Sequence, residues 1–298
     1  MSQDHFPATT RSPGTGLLEN FLTLPDGRRI RTITGGSGPG PLVVFEAGMS
    51  APAAEWVHTQ REVAARARTL SYDRAGYGGS DDDPHDRTLE RIVEDLSAVL
   101  DAVGETGPVV LAGHSWGGPI IRLFADRNPD RVAGLVFVDG SLAECFSVKL
   151  VKATARSFRA FSILSRFAGK RMLLRIALPH GSAPEISGAD LEILLRDYAC
   201  PRAMRTGARE CAHLLAALPT IQQLQATGTP RVPTFYLQAG RVDRGMGTIR
   251  PLWNRVAEEL VAATPQAKLV VVGEAGHLIP QEAPGPVREA IFDVLDRV

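Results

Sequence analysis

The sequence predicts an α/β fold, a mostly parallel central sheet flanked by helices, with a helical cap inserted after the strand that ends near Asp139. Three observations predict it. Short, continuously apolar segments alternate with amphipathic ones, the pattern of a sheet covered on both faces. Between residues 141 and 226 the alternation stops, and helical sequence punctuated by Pro179, Gly181, Pro184, Gly188 and Pro201 replaces it. The alternation then resumes to the C-terminus. The implied organisation is a flexible leader over 1–16, a core over 17–140 and 227–298, and a helical cap over 141–226.

Residues 1–16 are rich in Ser, Thr, Pro and Gly and lack the apolar run of a signal peptide. Pro25-Asp26-Gly27 separates alternating runs at 17–24 and 28–34, which reads as a hairpin. The glycine-rich stretch 35–40 is a loop and not a phosphate cradle, because no Lys-Ser/Thr follows and a strand comes next. Residues 42–46 form an apolar strand, 52–67 a helix and 69–72 a strand. Helix 89–103 places Ile92, Val93, Leu96, Val99 and Leu100 on one face. Strand 109–112, helix 119–127 and strand 132–138 precede the cap; strand 234–238, helix 249–263, strand 268–272 and helix 284–298 follow it. The acidic run 81–86 lacks calcium-loop spacing and reads as a solvated loop.

Basic and acidic residues both number 33, so the formal net charge is zero and a nucleic-acid binder with a basic footprint is excluded. The zero conceals a division: residues 141–226 carry 12 basic and 6 acidic side chains, a net +6, which leaves −6 for the rest. Of the four lysines, Lys149, Lys152 and Lys170 lie in the cap and only Lys268 outside it. Codon bias toward arginine accounts for the scarcity, and a solvated basic face is the plain reading of the cap. Steering of an anionic substrate or transient contact with an anionic membrane surface are the sharper ones. Cys145, Cys200 and Cys211 suit neither a disulfide scaffold nor a Cys-x-x-Cys metal or redox motif. No apolar run approaches the ~20 residues that span a bilayer. A cytoplasmic protein without stable membrane insertion is expected.

The strongest motif is Gly113-His114-Ser115-Trp116-Gly117, between a strand and a helix. A sharp strand-to-helix turn exposes its central residue and needs small neighbours. A serine hydroxyl becomes a nucleophile only with a base, usually a histidine oriented by a carboxylate. Of seven histidines, His277 directly follows the last strand, on the sheet edge that carries Ser115. His114 adjoins the serine, but side chains diverge in so tight a turn. Two carboxylates follow strands on the same edge: Asp243, in Gly240-Arg241-Val242-Asp243, and Asp139, after Leu135-Val136-Phe137-Val138. Asp243 is favoured for the acid because it follows the serine and precedes the histidine in chain order, and Asp139 is the alternative.

These segments, with Tyr72-Asp73-Arg74-Ala75-Gly76-Tyr77-Gly78-Gly79-Ser80 and Gly276-His277 followed by Pro284, resemble the α/β-hydrolase superfamily. The likeness is to capped serine hydrolases: esterases, proline iminopeptidases and cofactor-free perhydrolases. It spans residues 17–140 and 229–298, and the cap resembles nothing identifiable. The resemblance implies an oxyanion hole from the Trp116 N–H and one amide of the loop after strand 42–46. The family usually has His-Gly-x there; this chain has Ala47-Gly48-Met49, which removes an imidazole but no main-chain donor, so Met49 is expected to supply the second amide. The Asp73-Arg74 segment is expected to shape the floor of the site. Epoxide hydrolases and haloalkane dehalogenases of this fold carry Asp where Ser115 stands.

The expected activity is cofactor-independent hydrolysis of a carboxylic ester or lactone with an apolar acyl part, through an acyl-enzyme on Ser115, with no metal and no organic cofactor. The alternatives are a thioesterase on carrier-bound acyl chains, an aminopeptidase with proline preference, and a ligand-binding receptor that retains the Ser/His/Asp set. The aminopeptidase needs cap carboxylates at the pocket, with Glu185, Asp190, Glu192 and Glu210 as candidates.

Overall fold

The computed structural model describes residues 10–11, 16–198 and 200–298. Among the described residues nine strands form one sheet: β1 (Thr10–Arg11), β2 (Leu18–Thr23), β3 (Arg29–Gly35), β4 (Val43–Glu46), β5 (Thr69–Tyr72), β6 (Val109–His114), β7 (Val132–Val138), β8 (Thr234–Ala239) and β9 (Ala267–Val272). Their order is β1-β2-β3-β5-β4-β6-β7-β8-β9. The hairpin predicted around Pro25-Asp26-Gly27 is β2–β3, antiparallel, and β3 pairs antiparallel with β5. From β5 to β9 every pairing is parallel. The chain runs β4 to β5 toward one edge and then returns to β6 on the other side of β4. That reversal opens a crevice at the carboxyl ends of β4 and β6, where open α/β sheets receive ligands.

Strict alternation of side chains sorts the strands into two layers. Val44, Leu111 and Leu135 pack in one cluster with helices α2 (Leu89–Ala102), α3 (Gly117–Arg127) and α9 (Arg250–Ala262). Val43, Phe45, Val110, Ala112, Val136 and Val138 pack in the other, with α1 (Val57–Val63) and α11 (Pro284–Leu295). Helix α2 begins where the Thr88 side chain accepts from the Arg91 N–H, and it buries the apolar face read from its spacing. Removing one such residue, as in Leu96→Ala, is expected to cost about 2–5 kcal/mol through lost transfer energy and a cavity.

Most boundaries fall within a few residues of those expected of the sequence, with two larger departures. The expected helix over 52–67 is a 3-10 turn, Ala53–Trp56, followed by the seven-residue α1. A four-residue helix, α10 (Ile279–Glu282), was not foreseen and fixes the segment after His277. The leader assigned to 1–16 lies outside the described residues except for Gly16 and for Thr10 and Arg11, which pair with Glu19 and Leu18.

Between β7 and β8 lie α4 (Val148–Leu164), α5 (Lys170–Ala177), α6 (Gly188–Asp197), α7 (Pro201–Ala212) and α8 (Leu214–Ala226), an all-helical insert consistent with a cap. Polar anchors dock it on the core: Arg74 bonds both oxygens of Glu210 on α7, at 3.1 and 3.0 Å, and the Thr206 hydroxyl donates to the Gly76 carbonyl at 2.8 Å. His58 and Arg61 on α1 hold Asp190 of α6, each at 2.9 Å. The acidic run 81–86 is not wholly solvated. Asp83 is buried and paired with Arg28, Arg87 and Arg91, because arginines just before β3 and around the start of α2 supply the counter-charge a buried carboxylate requires.

Candidate active site

Ser115 follows β6 in the left-handed region, at φ 51°. Nothing but backbone crowding explains the flanking glycines. A Cβ on Gly113 would stand 2.6 Å from the Gly117 carbonyl oxygen, and one on Gly117 would overlap the carbonyl oxygen of Glu46. The turn is fixed from outside as well: the Ser115 N–H donates to Val138 O at 3.1 Å, and Ser115 O accepts from the N–H groups of Gly118 and Ser141 at 3.0 and 2.8 Å. A strained residue persists where the surroundings over-determine it, and here they do.

His277 leaves the loop after β9 and places Nε2 2.9 Å from Ser115 Oγ. Its Nδ1 lies 2.6 Å from Asp139 Oδ2. The expectation that Asp243 holds the imidazole is therefore corrected. Asp243 Oδ2 instead accepts the backbone N–H of His277 at 2.7 Å, and its Oδ1 accepts from Arg241 at 3.1 Å. Chain order never separated the two, since both lie between Ser115 and His277. Sheet register does. β7 pairs directly with β6, His114 opposite Val138, so the residues one step beyond both strands stand side by side. Asp243 is four residues past the end of β8, far enough for its loop to turn toward the main chain of the histidine segment.

Asp139 is fully buried, with φ 44°, a conformation that Asp tolerates better than most residues. Arg250, which carried no signal in the sequence, donates to both of its oxygens at 2.7 and 2.8 Å, and the Ala239 N–H adds a bond at 3.2 Å. Burial alone would raise the Asp139 carboxyl, but the bonds and charges of His277 and Arg250 hold it below the usual carboxylate range. The acid thus stays ionised. Trp253 packs its ring 5.3 Å from that of His277 and donates from Nε1 to the Gly140 carbonyl at 3.0 Å.

His114 turns away from the serine, as anticipated, but into a buried arrangement that sequence reasoning missed. Its Nδ1 meets Glu55 Oε1 at 2.9 Å and its Nε2 meets the main-chain oxygen of His277 at 2.8 Å. Both neighbours are acceptors, so the doubly protonated ring satisfies both. Burial would lower its pKa, yet the charge and hydrogen bond of Glu55 outweigh burial and raise it. Glu55 Oε2 also accepts the Gly48 N–H at 2.8 Å. One carboxylate therefore ties the loop after β4 to the histidine segment.

That loop is further held by Arg74, which donates to the carbonyls of Ala47 and Gly48 at 2.6 and 2.8 Å and to Glu46 at 2.7 Å. Asp73 pairs with Arg31 at 2.6 Å and accepts the Ala53 N–H, which gives the Asp73-Arg74 segment the floor-shaping role expected of it. Gly48 lies against the elbow: a Cβ there would stand 3.5 Å from Ser115 Cβ. Among the described residues, the N–H groups of Met49 and Trp116 bond to no protein acceptor, and both residues line the cavity above Ser115.

The cavity has a volume of about 460 Å³ and lies between the sheet edge and the cap. Its walls are largely apolar, with Phe146, Val151, Phe158 and Phe161 from the cap and Met246, Ile249 and Trp253 from the core. Glu185, Asp190, Glu192 and Glu210 are not among its lining residues. Asp190 and Glu210 are buried in the anchors that dock the cap.

A model of the alpha/beta hydrolase family matches residues 43–290. Among curated proteins, the chain is 24% identical to "Epoxide hydrolase 4" of Mus musculus over 308 residues, covering 97% of this chain and 82% of that protein. Among solved structures, Cfl2 of Burkholderia cenocepacia superposes with a TM-score of 0.75 at 20% identity, covering 97% of this chain and 99% of the other. A thermophilic esterase from Thermogutta terrifontis gives 0.69 at 24% identity, over 94% of this chain and 98% of the other. No helix among the described residues is long and apolar enough to cross a membrane.

Proposed function

Since the chain belongs to the alpha/beta hydrolase family, we propose that it is a serine hydrolase that cleaves carboxylic esters or lactones with an apolar acyl part. The observation that carries this reading is the continuous chain of contacts Ser115 Oγ, His277 Nε2, His277 Nδ1, Asp139 Oδ2, at 2.9 and 2.6 Å, at the base of a largely apolar cavity.

In the reaction His277 takes the proton of Ser115 as its oxygen attacks the acyl carbon, and returns it to the leaving alkoxide. Asp139 holds the tautomer with hydrogen on Nδ1 and stabilises the imidazolium that forms. The amides of Met49 and Trp116 receive the oxyanion, and preorganised donors in a dry site reduce the barrier more than they would in water. Water then attacks the acyl-enzyme by the same route in reverse. Asp243 positions the main chain of His277 and takes no proton.

Two readings lose ground. An epoxide hydrolase attacks its substrate with a carboxylate, and a serine occupies the elbow here. An aminopeptidase needs an acid to hold the substrate amine, and the one carboxylate that lines the cavity among the described residues, Glu55, already bonds His114 and Gly48. A cytoplasmic setting accords with three free cysteines.

The test is a turnover panel of aryl esters, lactones, acyl thioesters and epoxides, with Ser115→Ala as control. Multiple turnover of an ester or lactone that Ser115→Ala abolishes supports the reading. Epoxide opening alone, or a single turnover that leaves a stable bound state, refutes it.

A further inference from the structure

We propose that the cap turn around Phe167, with helix α5, is a docking surface for an anionic lipid bilayer, and that apolar acyl substrates enter the cavity from it. The proposal rests on the ester-hydrolase reading only for what the surface delivers.

Large apolar side chains that face solvent are concentrated there. Ile163, Leu164, Phe167, Met172 and Ile176 are exposed by 59, 42, 84, 48 and 48%. Exposed large apolar side chains gathered within one short segment mark an interaction site. Met172 and Ile176 are four residues apart on α5 and share a face, while Leu173 of the same helix turns inward and is 3% exposed.

Cations are interleaved with these side chains along the chain. Arg166, Lys170, Arg171 and Arg175 are all exposed, and none makes an ion pair with a carboxylate among the described residues. Elsewhere in the protein arginines such as Arg28, Arg31, Arg74, Arg87 and Arg250 are buried against acids. No Asp or Glu occurs between residues 145 and 184. Exposed apolar side chains interspersed with unpaired cations match a surface with anionic headgroups outside and acyl chains beneath. A second copy of this chain is a poor occupant, since the two patches would oppose like charges. The patch also meets the substrate space, because Ile176 belongs to both the exposed patch and the cavity wall.

The test measures partitioning of full-length Ser115→Ala onto vesicles of phosphatidylcholine alone and of phosphatidylcholine with about one-third phosphatidylglycerol. Binding to the anionic vesicles and not to the neutral ones is expected, weakened by high salt. Replacing Arg166, Lys170 and Arg171 together by glutamine is expected to reduce partitioning by about 100-fold. Phe167→Ser should reduce it by about tenfold. In the Ser115 background both sets should hydrolyse a soluble short-chain ester at the unmodified rate, because none of these residues lines the cavity. Equal binding to neutral vesicles, no binding to anionic ones, partitioning unchanged by the substitutions, or a stable dimer held by the patch each overturns the proposal. Vesicle binding with no ester turnover leaves the surface standing and refutes the hydrolase reading instead.

Discussion

Replacing Asp139 by asparagine changes its contacts with His277 and Arg250 together, and the surrounding geometry dictates the outcome. The carboxylate is fully buried and accepts from Arg250 on both oxygens and from His277 Nδ1 at 2.6 Å. In Asp139→Asn the amide oxygen is retained by Arg250 and the Ala239 N–H, which leaves the NH₂ group facing Nδ1. An amide donor there stabilises the tautomer with hydrogen on Nε2, and that tautomer cannot accept the proton of Ser115. The expected loss in kcat is about 10³–10⁴-fold, or about 4–5.5 kcal/mol in the barrier. Asp243→Asn is different, because an amide oxygen still accepts the His277 N–H, and a loss within about tenfold is expected. The assay is aryl-ester turnover normalised to titrated active sites. Asp139→Asn also leaves the buried Arg250 guanidinium without a counter-charge, at a cost of about 3–5 kcal/mol, so unfolding is measured alongside. Equal losses in the two variants, or a larger one in Asp243→Asn, would mean that Asp139 is not the group that orients His277.

Other contacts of the site are testable in the same way. His114 has a raised pKa, so its contribution to stability is fully present below about pH 6.5 and is lost as pH rises through the higher folded-state value. Urea unfolding of His114→Asn should therefore fall further short of the parent at about pH 6 than at about pH 9, and a pH-independent difference contradicts the pairing with Glu55. Gly117→Ala forces a methyl into the Glu46 carbonyl oxygen, and calorimetry should register a loss of about 2–4 kcal/mol. Phe161→Trp narrows the cavity and should lower kcat/KM for long acyl esters by about tenfold while sparing acetate esters; a uniform effect would remove Phe161 from the acyl-binding wall.

Most of the core was legible in the sequence because its central strands, Val43–Glu46, Val109–His114, Val132–Val138 and Thr234–Ala239, are short, mostly apolar and buried on both faces. Thr69–Tyr72 and Val132–Val138 stand where the sequence placed them. The elbow was legible for a related reason: its glycines answer backbone crowding that only glycine relieves. What escaped was pairing across distance. Asp139 and Asp243 are equivalent by chain order and become distinct only through the adjacency of β6 and β7. Arg250 and Glu55 carried no local signal, since an arginine opening one helix and a glutamate in a 3-10 turn are ordinary until the sheet brings them to the site. The boundary of the helix expected over 52–67 failed at Pro52-Ala53-Ala54, where the chain tightens so that the Ala53 N–H can reach Asp73.

If the proposed chemistry holds, Ser115 forms a covalent acyl intermediate with His277 as its base. Rapid quenching of a slow aryl ester, followed by peptide mass spectrometry, detects that intermediate. The expected result is an acyl mass increment on the peptide containing Ser115, absent in Ser115→Ala and strongly reduced in His277→Ala. An increment on an aspartate, or full turnover with Ser115 unmodified throughout, would contradict it.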